Sequence, residues 1–322
     1  MTDPDTPPET SDAVAKQAVV PAAVAWSLAD RLTDLVLRGL IRVALLLPWD
    51  RRVPLMGWIM ARLIAPRAGY RDRALANLAY VWPEMPPETR KRIAEAVANN
   101  AGRTIIENYD VMGLLARMQD APISGPGYEA ALNARETGQP VLFVTGHFGN
   151  FEAPRAALVA RGFEIGGLYR PLSNPFFNRH YAANMHALSG PVFEQGPRGT
   201  MGLVRHLRQG GMGVLLFDIY SSKGETIDFM GRPTPTLTSA ADIALRTDAL
   251  LIPFFGQRAA DGLSFEVSFD APIPHGDPVD MTRAMSDALE RRVRATPEQW
   301  FWIHRRWKPE RQRRRAEART DP

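Results

Sequence analysis

The chain has 322 residues, which is enough for one large α/β domain with a sizeable core or for two small domains. It contains no cysteine, so disulfide bonds and thiolate metal sites are excluded and a reducing compartment fits. The net charge is +4, with an acidic beginning and a strongly basic end. A basic surface suits an anionic lipid, a nucleic acid or an acidic carrier protein as partner.

The first apolar stretch of the chain runs from Trp26 to Leu47 and follows residues 1–24, which are predicted to be disordered. Four charged residues recur along it at helical spacing and form one narrow polar stripe: Arg31, Asp34, Arg38 and Arg42. These charges are too many for an easily inserted span, so we expect an amphipathic helix that lies in the membrane interface. A helix packed on the rest of the protein is the alternative.

A second short apolar segment, Pro54 to Pro66, completes a predicted membrane-associated anchor over residues 25–66. Arginines flank both apolar segments, and if any part spans a membrane, this bias predicts that the part that follows lies on the cytoplasmic side. The spacing of apolar residues then predicts a long helical region over residues 86–118.

After residue 127, short apolar runs alternate with helical segments. Strands are predicted at residues 141–145, 164–168, 192–194, 214–217, 250–255 and 263–269. Helices are predicted at residues 153–161, 174–188, 200–208, 240–246 and 280–294, and residues 229–238 are predicted to form a long loop. This alternation predicts an α/β fold with a mostly parallel central sheet flanked by helices.

The stretch from Val141 to Glu152 combines a strand pattern with residues that can carry chemistry. The apolar run Val141 to Thr145 is followed by a Gly, His147 comes next, and Glu152 stands five positions later. The pattern predicts His147 in the turn at the carboxyl end of the strand and Glu152 in the first turn of the next helix. Ligands of open α/β sheets bind at this edge.

A neutral imidazole can take a proton from an alcohol near neutral pH, and a carboxylate that fixes its tautomer makes it a better base. The chain has no cysteine and the motif no serine, so we expect His147 to activate a substrate hydroxyl, with Glu152 orienting it. Backbone amides after His147 are expected to stabilise the oxyanion. The alternative is a capping histidine beside a surface glutamate at a helix N-terminus.

Three motifs resemble one known family. His147-Phe-Gly-Asn-Phe-Glu152 resembles the His-x4-Asp/Glu motif of glycerolipid-type acyltransferases, and it is most similar in spelling to the late acyltransferases of lipid A biosynthesis. Tyr169-Arg170-Pro171 resembles the Tyr-Arg-Pro motif of that family. Pro297 to Lys308 resembles its terminal Pro-Glu-x-Trp…His-x-Arg-Trp-Lys signature.

The resemblance also implies roles for individual residues. His147 and Glu152 are expected to be catalytic, and four residues are expected to bind substrate: Arg170, Asp218, Arg232 and Asn150. Asp218 ends a predicted strand and matches the family, whereas the residues that follow it do not match.

The C-terminal signature and the tail after it leave two alternatives each. The three Trp residues between Pro297 and Lys308 are expected either to lie at a membrane interface or to pack onto the domain. Residues 309–322 form a basic tail, which is expected either to hold anionic headgroups or to be a solvated end.

The resemblance implies an acyltransferase domain over residues 67–308 that moves a fatty acyl chain from acyl-carrier protein to a hydroxyl of a lipid A precursor at the inner membrane. The expected donor is the carrier-protein thioester, with no separate cofactor and no metal site. The expected partners are acyl-carrier protein, the lipid A precursor and an anionic membrane surface, but not nucleic acid. Acyl transfer to another membrane lipid or glycolipid, and a non-catalytic membrane-peripheral binding protein, are the alternatives.

Overall fold

A computed structural model describes residues 27–308, so the predictions for residues 1–24 and for the basic tail 309–322 lie outside the described part. The described chain begins with helical elements: α1 (Leu28–Leu45), α2 (Trp49–Ile59), a π-helical turn (Met60–Ile64), α3 (Ala65–Arg67), α4 (Tyr70–Val81), α5 (Pro87–Tyr109) and α6 (Val111–Met118). The predicted helical region over residues 86–118 is thus two helices. They are divided at Asp110, whose side chain accepts a hydrogen bond of 3.0 Å from the Gly113 amide and caps α6.

The strands that follow form one large sheet and one hairpin. Their bounds are β1 (Ile123–Ser124), β2 (Val141–Thr145), β3 (Ile165–Tyr169), β4 (Val192–Glu194), β5 (Met212–Leu216), β6 (Glu225–Phe229), β7 (Arg232–Thr236), β8 (Leu250–Arg258) and β9 (Phe265–Phe269). The large sheet has the order β1-β9-β8-β2-β5-β3-β4, and its neighbours are parallel except for β8 and β9. This topology confirms the predicted α/β fold with a mostly parallel central sheet.

Helices alternate with the strands and pack on both sides of the sheet. They are α7 (Pro126–Thr137), α8 (Ala153–Val159), α9 (Pro175–Leu188), α10 (Pro197–Arg208), α11 (Ser239–Thr247) and α12 (Pro278–Ala295). Strand β2 is completely buried at the centre of the sheet, and its side chains alternate between two hydrophobic cores. Leu142 and Val144 enter one core, and Val141 and Phe143 enter the other. This burial on both faces explains why β2 is apolar at nearly every position.

The loop predicted for residues 229–238 is a correction, because the structure has an antiparallel hairpin of β6 and β7 there. Strand β7 contains Pro233 and Pro235. Proline lacks a backbone N–H and occurs at sheet edges, and β7 belongs to a two-stranded sheet that consists only of edges. The prolines masked the strand in the sequence.

Helix α1 buries Asp34 of its polar stripe together with Ile41 and Ala44, and it leaves most of its large apolar side chains exposed. Asp34 is buried and pairs with Arg38 at 2.9 Å, and the Arg31 guanidinium lies 5.2 Å from the ring centroid of Phe176 in α9. Large apolar side chains on the outer side are exposed: Leu28, Leu32, Leu35, Val36, Leu40, Val43 and Leu46. No helix within residues 27–308 combines the length and the apolarity that a membrane span needs.

A buried ion pair ties α5 to β8 beneath the turn that follows β2. Arg258 binds both carboxylate oxygens of Glu107, with 2.8 Å between Nη2 and Oε2, and both residues are buried. The Asn150 side-chain amide donates a further bond of 3.0 Å to Glu107. The network therefore holds one end of the turn against two elements of the fold.

We expect Glu107→Gln to lower the free energy of unfolding by about 3–5 kcal/mol, because it leaves the Arg258 guanidinium buried without its carboxylate. Urea unfolding followed by circular dichroism measures the loss. The matched control is Glu88→Gln, which removes an exposed 2.8 Å pair with Lys91 on the same helix and is expected to cost about 1 kcal/mol or less. Equal losses in the two variants would contradict the assigned role of the buried pair.

Candidate active site

His147 lies in the turn after β2, at the carboxyl edge of the sheet, where the sequence predicts it. Strand β5 pairs with β2 up to Thr145 and Leu216, so Asp218 leaves the neighbouring strand at the same edge. The glycine of the turn has a structural reason. Gly149 has φ 54°, and a Cβ atom there would lie 2.0 Å from the Gly256 carbonyl oxygen of β8. Only glycine fits this close approach.

The carboxylate partner of His147 is Asp218. The distance from His147 Nδ1 to Asp218 Oδ1 is 2.7 Å, and the His147 backbone N–H donates to Oδ2 at 2.8 Å. The Trp300 indole N–H also donates to Oδ2, at 2.9 Å. An ionised Asp218 requires the proton of the neutral imidazole on Nδ1, so Nε2 has the free lone pair of a general base.

Asp218 is held in its charged form although it is fully buried. Burial alone would raise its pKa, but the adjacent His147 charge, the hydrogen bonds from His147 and the neighbouring His304 together bring the pKa below its usual range. The His147 side chain is one quarter exposed, so the base is reachable while its partner is sealed from water.

The prediction that Glu152 orients His147 is not confirmed by the geometry. Within residues 27–308 the Glu152 carboxylate pairs with Arg155, at 3.3 Å, rather than with His147. Arg155 is itself buried and donates to the carbonyls of Ile165 and Ser189. Glu152 still lines the same cavity as His147, with about an eighth of its side chain exposed.

The residues predicted to bind substrate lie in different surroundings. Asn150 is fully buried. Its side-chain Nδ2 donates to Glu107 and its side-chain Oδ1 accepts from the Glu152 N–H at 3.0 Å, so it shapes the turn. Arg170 is exposed directly after β3, at the same edge of the sheet as His147. Arg232 is half-buried on the hairpin, 5.0 Å from the ring centroid of Tyr80. Neither arginine lines the cavity at His147.

Most of the backbone amides after His147 are used inside the protein, which narrows the expectation that they serve the oxyanion to a single amide. Phe148 donates to the Gly146 carbonyl at 2.8 Å, Gly149 to Gln299 at 2.9 Å and Asn150 to Gly256 at 3.0 Å. Among the described residues, the N–H of Phe151 is the amide between positions 147 and 152 with no internal acceptor.

An apolar cavity of about 240 Å³ opens beside His147. It runs between α5, α6 and α9, and its apolar lining includes Val97, Leu114, Tyr181, Met185 and Leu188. Phe151 and Glu152 lie with His147 among its lining residues. A base beside a narrow apolar cavity suits a substrate with a long hydrocarbon chain and a reactive polar end.

The C-terminal segment completes the site, which the sequence did not reveal. Trp300, Trp302 and Trp307 are fully buried. Of the two alternatives predicted for them, the membrane interface is therefore wrong, and they pack onto the domain. The His304 ring lies 4.4 Å from the His147 ring, centroid to centroid. Its presence in the C-terminal motif was the only sequence signal that marked it.

His304 is a neutral imidazole beside the base. Burial, followed by the charge of His147, lowers its pKa to about 3, and its Nε2 atom is buried without a hydrogen-bond partner among the described residues. Possible metal-ligand atoms of His147, Asp218 and His304 lie within 4.8 Å of one another. The distance of 2.7 Å between His147 Nδ1 and Asp218 Oδ1 is that of a direct hydrogen bond, so these two atoms are paired with each other.

The lowered pKa of His304 predicts a loss of stability in acid. Below the ordinary value of 6.5 the unfolded chain takes up a proton here that the folded chain does not bind, so the free energy of unfolding decreases as the pH falls. In His304→Phe this fall should be shallower by up to about 1.4 kcal/mol per pH unit between pH 6.5 and about 3. Urea unfolding at each pH measures it. An unchanged slope, or an equal change in His186→Phe at an exposed histidine, would contradict the assignment.

The chain is similar to proteins of one known family over most of its length. The family model described as bacterial lipid A biosynthesis acyltransferase matches residues 29–309. A lipid A biosynthesis acyltransferase of Haemophilus influenzae is 22% identical over 236 residues, which are 72% of this chain and 74% of that protein. The lipid A biosynthesis lauroyltransferase of Escherichia coli is 25% identical over 267 residues, covering 79% and 83% of the two chains.

A phosphatidylinositol mannoside acyltransferase of Mycobacterium tuberculosis is 29% identical, but over only 84 residues, or 26% of this chain and 27% of that protein. The match to the family model is far longer and includes all of the candidate site residues. The chain is therefore an acyltransferase that belongs to the bacterial lipid A biosynthesis acyltransferase family.

Proposed function

We propose that this protein transfers a fatty acyl chain from acyl-carrier protein to a hydroxyl of a lipid A precursor at the cytoplasmic side of the inner membrane. The observation that carries the proposal is the His147–Asp218 pair beside an apolar cavity. The family membership supports acyl transfer onto lipid A, and the net positive charge suits an acidic carrier protein.

In the proposed reaction, His147 Nε2 removes the proton from the acceptor hydroxyl as its oxygen attacks the thioester carbonyl. The carboxylate of Asp218 keeps Nδ1 protonated and stabilises the imidazolium that forms. As the tetrahedral intermediate collapses, the carbon–sulfur bond breaks and the imidazolium returns the proton to the leaving thiolate. The protein then returns to its starting protonation state.

The oxyanion of the intermediate needs a hydrogen-bond donor close to His147. The Phe151 N–H has no internal acceptor among the described residues, and Phe151 lines the cavity. We therefore assign this amide to the oxyanion. The acyl chain of the donor occupies the apolar cavity, whose volume limits the length of chain that fits.

Glu152 acts indirectly in this scheme. Its pair with Arg155 connects the first residue before α8 to the carbonyls of Ile165 and Ser189, so it fixes the shape of the cavity wall. Arg170, exposed at the same edge as the base, remains the candidate for a charged group of a substrate. The second candidate acceptor is a phosphatidylinositol mannoside, which the short mycobacterial match favours.

A membrane surface is the proposed location because of how α1 is oriented. Its exposed leucines and valines form an apolar strip, in which we include four more exposed apolar residues that follow on α2 and the π-helical turn: Leu55, Trp58, Leu63 and Ile64. Arg51, Arg62 and Arg67 are also exposed in this region and can contact anionic headgroups.

Acyl transfer measured with purified acceptors tests the reaction. We expect wild-type protein to acylate a lipid A precursor and His147→Ala to be inactive. Asp218→Asn should lower kcat about 10²–10⁴-fold because the imidazole loses its orienting charge. Mass spectrometry of the product identifies the acyl chain, and parallel assays with carrier-protein and coenzyme A thioesters identify the donor.

Glu152→Gln is the matched control for the assignment of the carboxylate. It should cost less than Asp218→Asn, because the Glu152 carboxylate bonds to Arg155 and not to the base. A greater loss in Glu152→Gln would return the orienting role to Glu152. If product forms only from a phosphatidylinositol mannoside, that lipid is the acceptor instead of a lipid A precursor.

The membrane assignment has a separate test. The double variant Leu32→Glu/Leu40→Glu should bind vesicles containing anionic lipid at least about tenfold more weakly than wild type, because two exposed leucines no longer enter the interface. Vesicle sedimentation measures the binding. Met201→Glu, at an exposed apolar residue of α10, is the control and should bind as wild type does. Equal binding by all three proteins would contradict the assignment.

A further inference from the structure

A second cavity, of about 710 Å³, lies next to the apolar cavity beside His147, which we call the acyl cavity. The lining of the second cavity is mostly polar and charged. Asn100 and Gln299 line both cavities, so a single layer of residues separates them. Its lining brings together five cationic side chains from α4, α5 and β8: Arg71, Lys91, Arg92, Arg103 and Arg258. We call it the basic cleft.

Some of these charges are neutralised within the protein. Arg258 is paired with Glu107, and Lys91 pairs with Glu88 at 2.8 Å. The carboxylate of Glu95, which also lines the cleft, is taken by Arg62 at 2.6 Å.

Three guanidinium groups remain without a carboxylate partner among residues 27–308: those of Arg71, Arg92 and Arg103. Glu298 is the remaining acidic residue of the lining, so the cleft has an excess of positive charge. Arg103 is the deepest of the three. It donates to two neutral acceptors, Asn99 Oδ1 at 2.6 Å and the Gly262 carbonyl at 2.9 Å.

The surroundings of Arg103 favour an anion. Burial, followed by the nearby Arg258, lowers its pKa against the opposing effect of Glu107, so an anion bound beside Arg103 would stabilise its charged form. Arg71 and Arg92 are exposed at the rim and are free to turn towards a ligand. Arginine forks bind the oxygens of a phosphate through two parallel hydrogen bonds, and three such groups around one recess suit a phosphate with two charges.

The position of the cleft's rim next to exposed apolar residues indicates that the phosphate belongs to a lipid headgroup. Arg62, which pairs with Glu95 of the cleft, is followed directly by Leu63 and Ile64, both exposed and apolar. The basic cleft thus adjoins the apolar strip proposed to contact a membrane. A lipid whose chains lie on that strip can place its headgroup in the cleft.

We propose that the basic cleft binds a phosphate monoester on the headgroup of the lipid acceptor and thereby positions its hydroxyl for His147. The inference rests on the proposed function, whose acceptor is a phosphorylated glycolipid. Helix α5 connects the two sites: Arg103 lies in the cleft, and Asn100 and Thr104 donate to the Gly149 carbonyl of the catalytic turn at 3.1 and 3.0 Å. A headgroup held in the cleft is therefore fixed relative to the base.

The test compares the acceptor with and without its phosphates in wild-type protein and in Arg71→Gln/Arg92→Gln, whose substitutions lie at exposed positions. Enzymatic dephosphorylation of the lipid A precursor should lower wild-type kcat/KM about tenfold or more. The double variant should lose a similar factor with the phosphorylated acceptor and should no longer respond to dephosphorylation. Most of the change should appear in KM. Salt at about 0.5 M, several times physiological ionic strength, should reduce the preference of wild type for the phosphorylated over the dephosphorylated acceptor.

Two further variants separate charge from structure. Arg103→Lys keeps the positive charge but loses the two parallel hydrogen bonds of a guanidinium. Its kcat/KM with the phosphorylated acceptor should lie between the values of wild type and Arg103→Gln. Arg208→Gln, at an exposed arginine of α10 outside the cleft, should behave as wild type does. A wild-type enzyme indifferent to dephosphorylation, or a double variant that loses the same factor with both acceptors, would overturn the inference while leaving the proposed reaction intact.

Binding measured without turnover keeps the inference testable if the proposed reaction fails. Phosphorylated precursor in detergent micelles should bind wild type about tenfold more tightly than the double variant, and calorimetry measures this directly. Inorganic phosphate is the competing probe. If it binds as tightly as the phosphorylated lipid, the cleft is a site for free anions and the assignment to a lipid headgroup is overturned.

Discussion

The buried carboxylate of Asp218 is the group on which the candidate site depends. It binds the His147 ring, the His147 backbone N–H and the Trp300 indole, and so joins the ends of β2 and β5 to the C-terminal segment. A buried charge is costly unless its lone pairs are bonded. The three segments therefore stabilise the site only together, and the geometry of the base is a property of the assembled fold rather than of the motif around it.

The turn that contains His147 is held from its other side by a second polar network. Glu107 and Arg258 lie beneath it, Asn150 bonds to Glu107, and α5 donates to the Gly149 carbonyl. This anchoring uses most of the backbone N–H groups of the turn, since those of Phe148, Gly149 and Asn150 all donate inside the protein. Preorganisation of the base and availability of oxyanion donors thus compete for the same few backbone groups. In this structure most of these groups hold the base in place, and among the described residues one amide of the turn, that of Phe151, has no internal acceptor.

The sequence predicted what depends on local pattern. Strand β2, the position of His147 and most helices followed from periodicity and residue type. It could not identify the partner of the base, because Asp218 lies 71 residues away and pairs only when two parallel strands meet, whereas Glu152 is near in the chain but directed to Arg155. Charge and aromatic content alone could not decide whether Trp300 is buried, since the same residues suit a membrane interface.

Helix α1 follows the usual relation between a surface helix and its protein only in part, since Ile41 and Ala44 are buried but most of its large apolar side chains are exposed. An ordinary surface helix packs its apolar side inwards, yet here Asp34 is buried and Leu32, Leu35 and Leu40 are exposed. The inner side of α1 contacts α9, and Tyr181 and Met185 of α9 line the acyl cavity. Under the proposed function, the wall of the acyl cavity is thus one helix away from the apolar surface. A lipid held at that surface lies close to a site built for a hydrocarbon chain, so the two apolar features serve the same class of substrate.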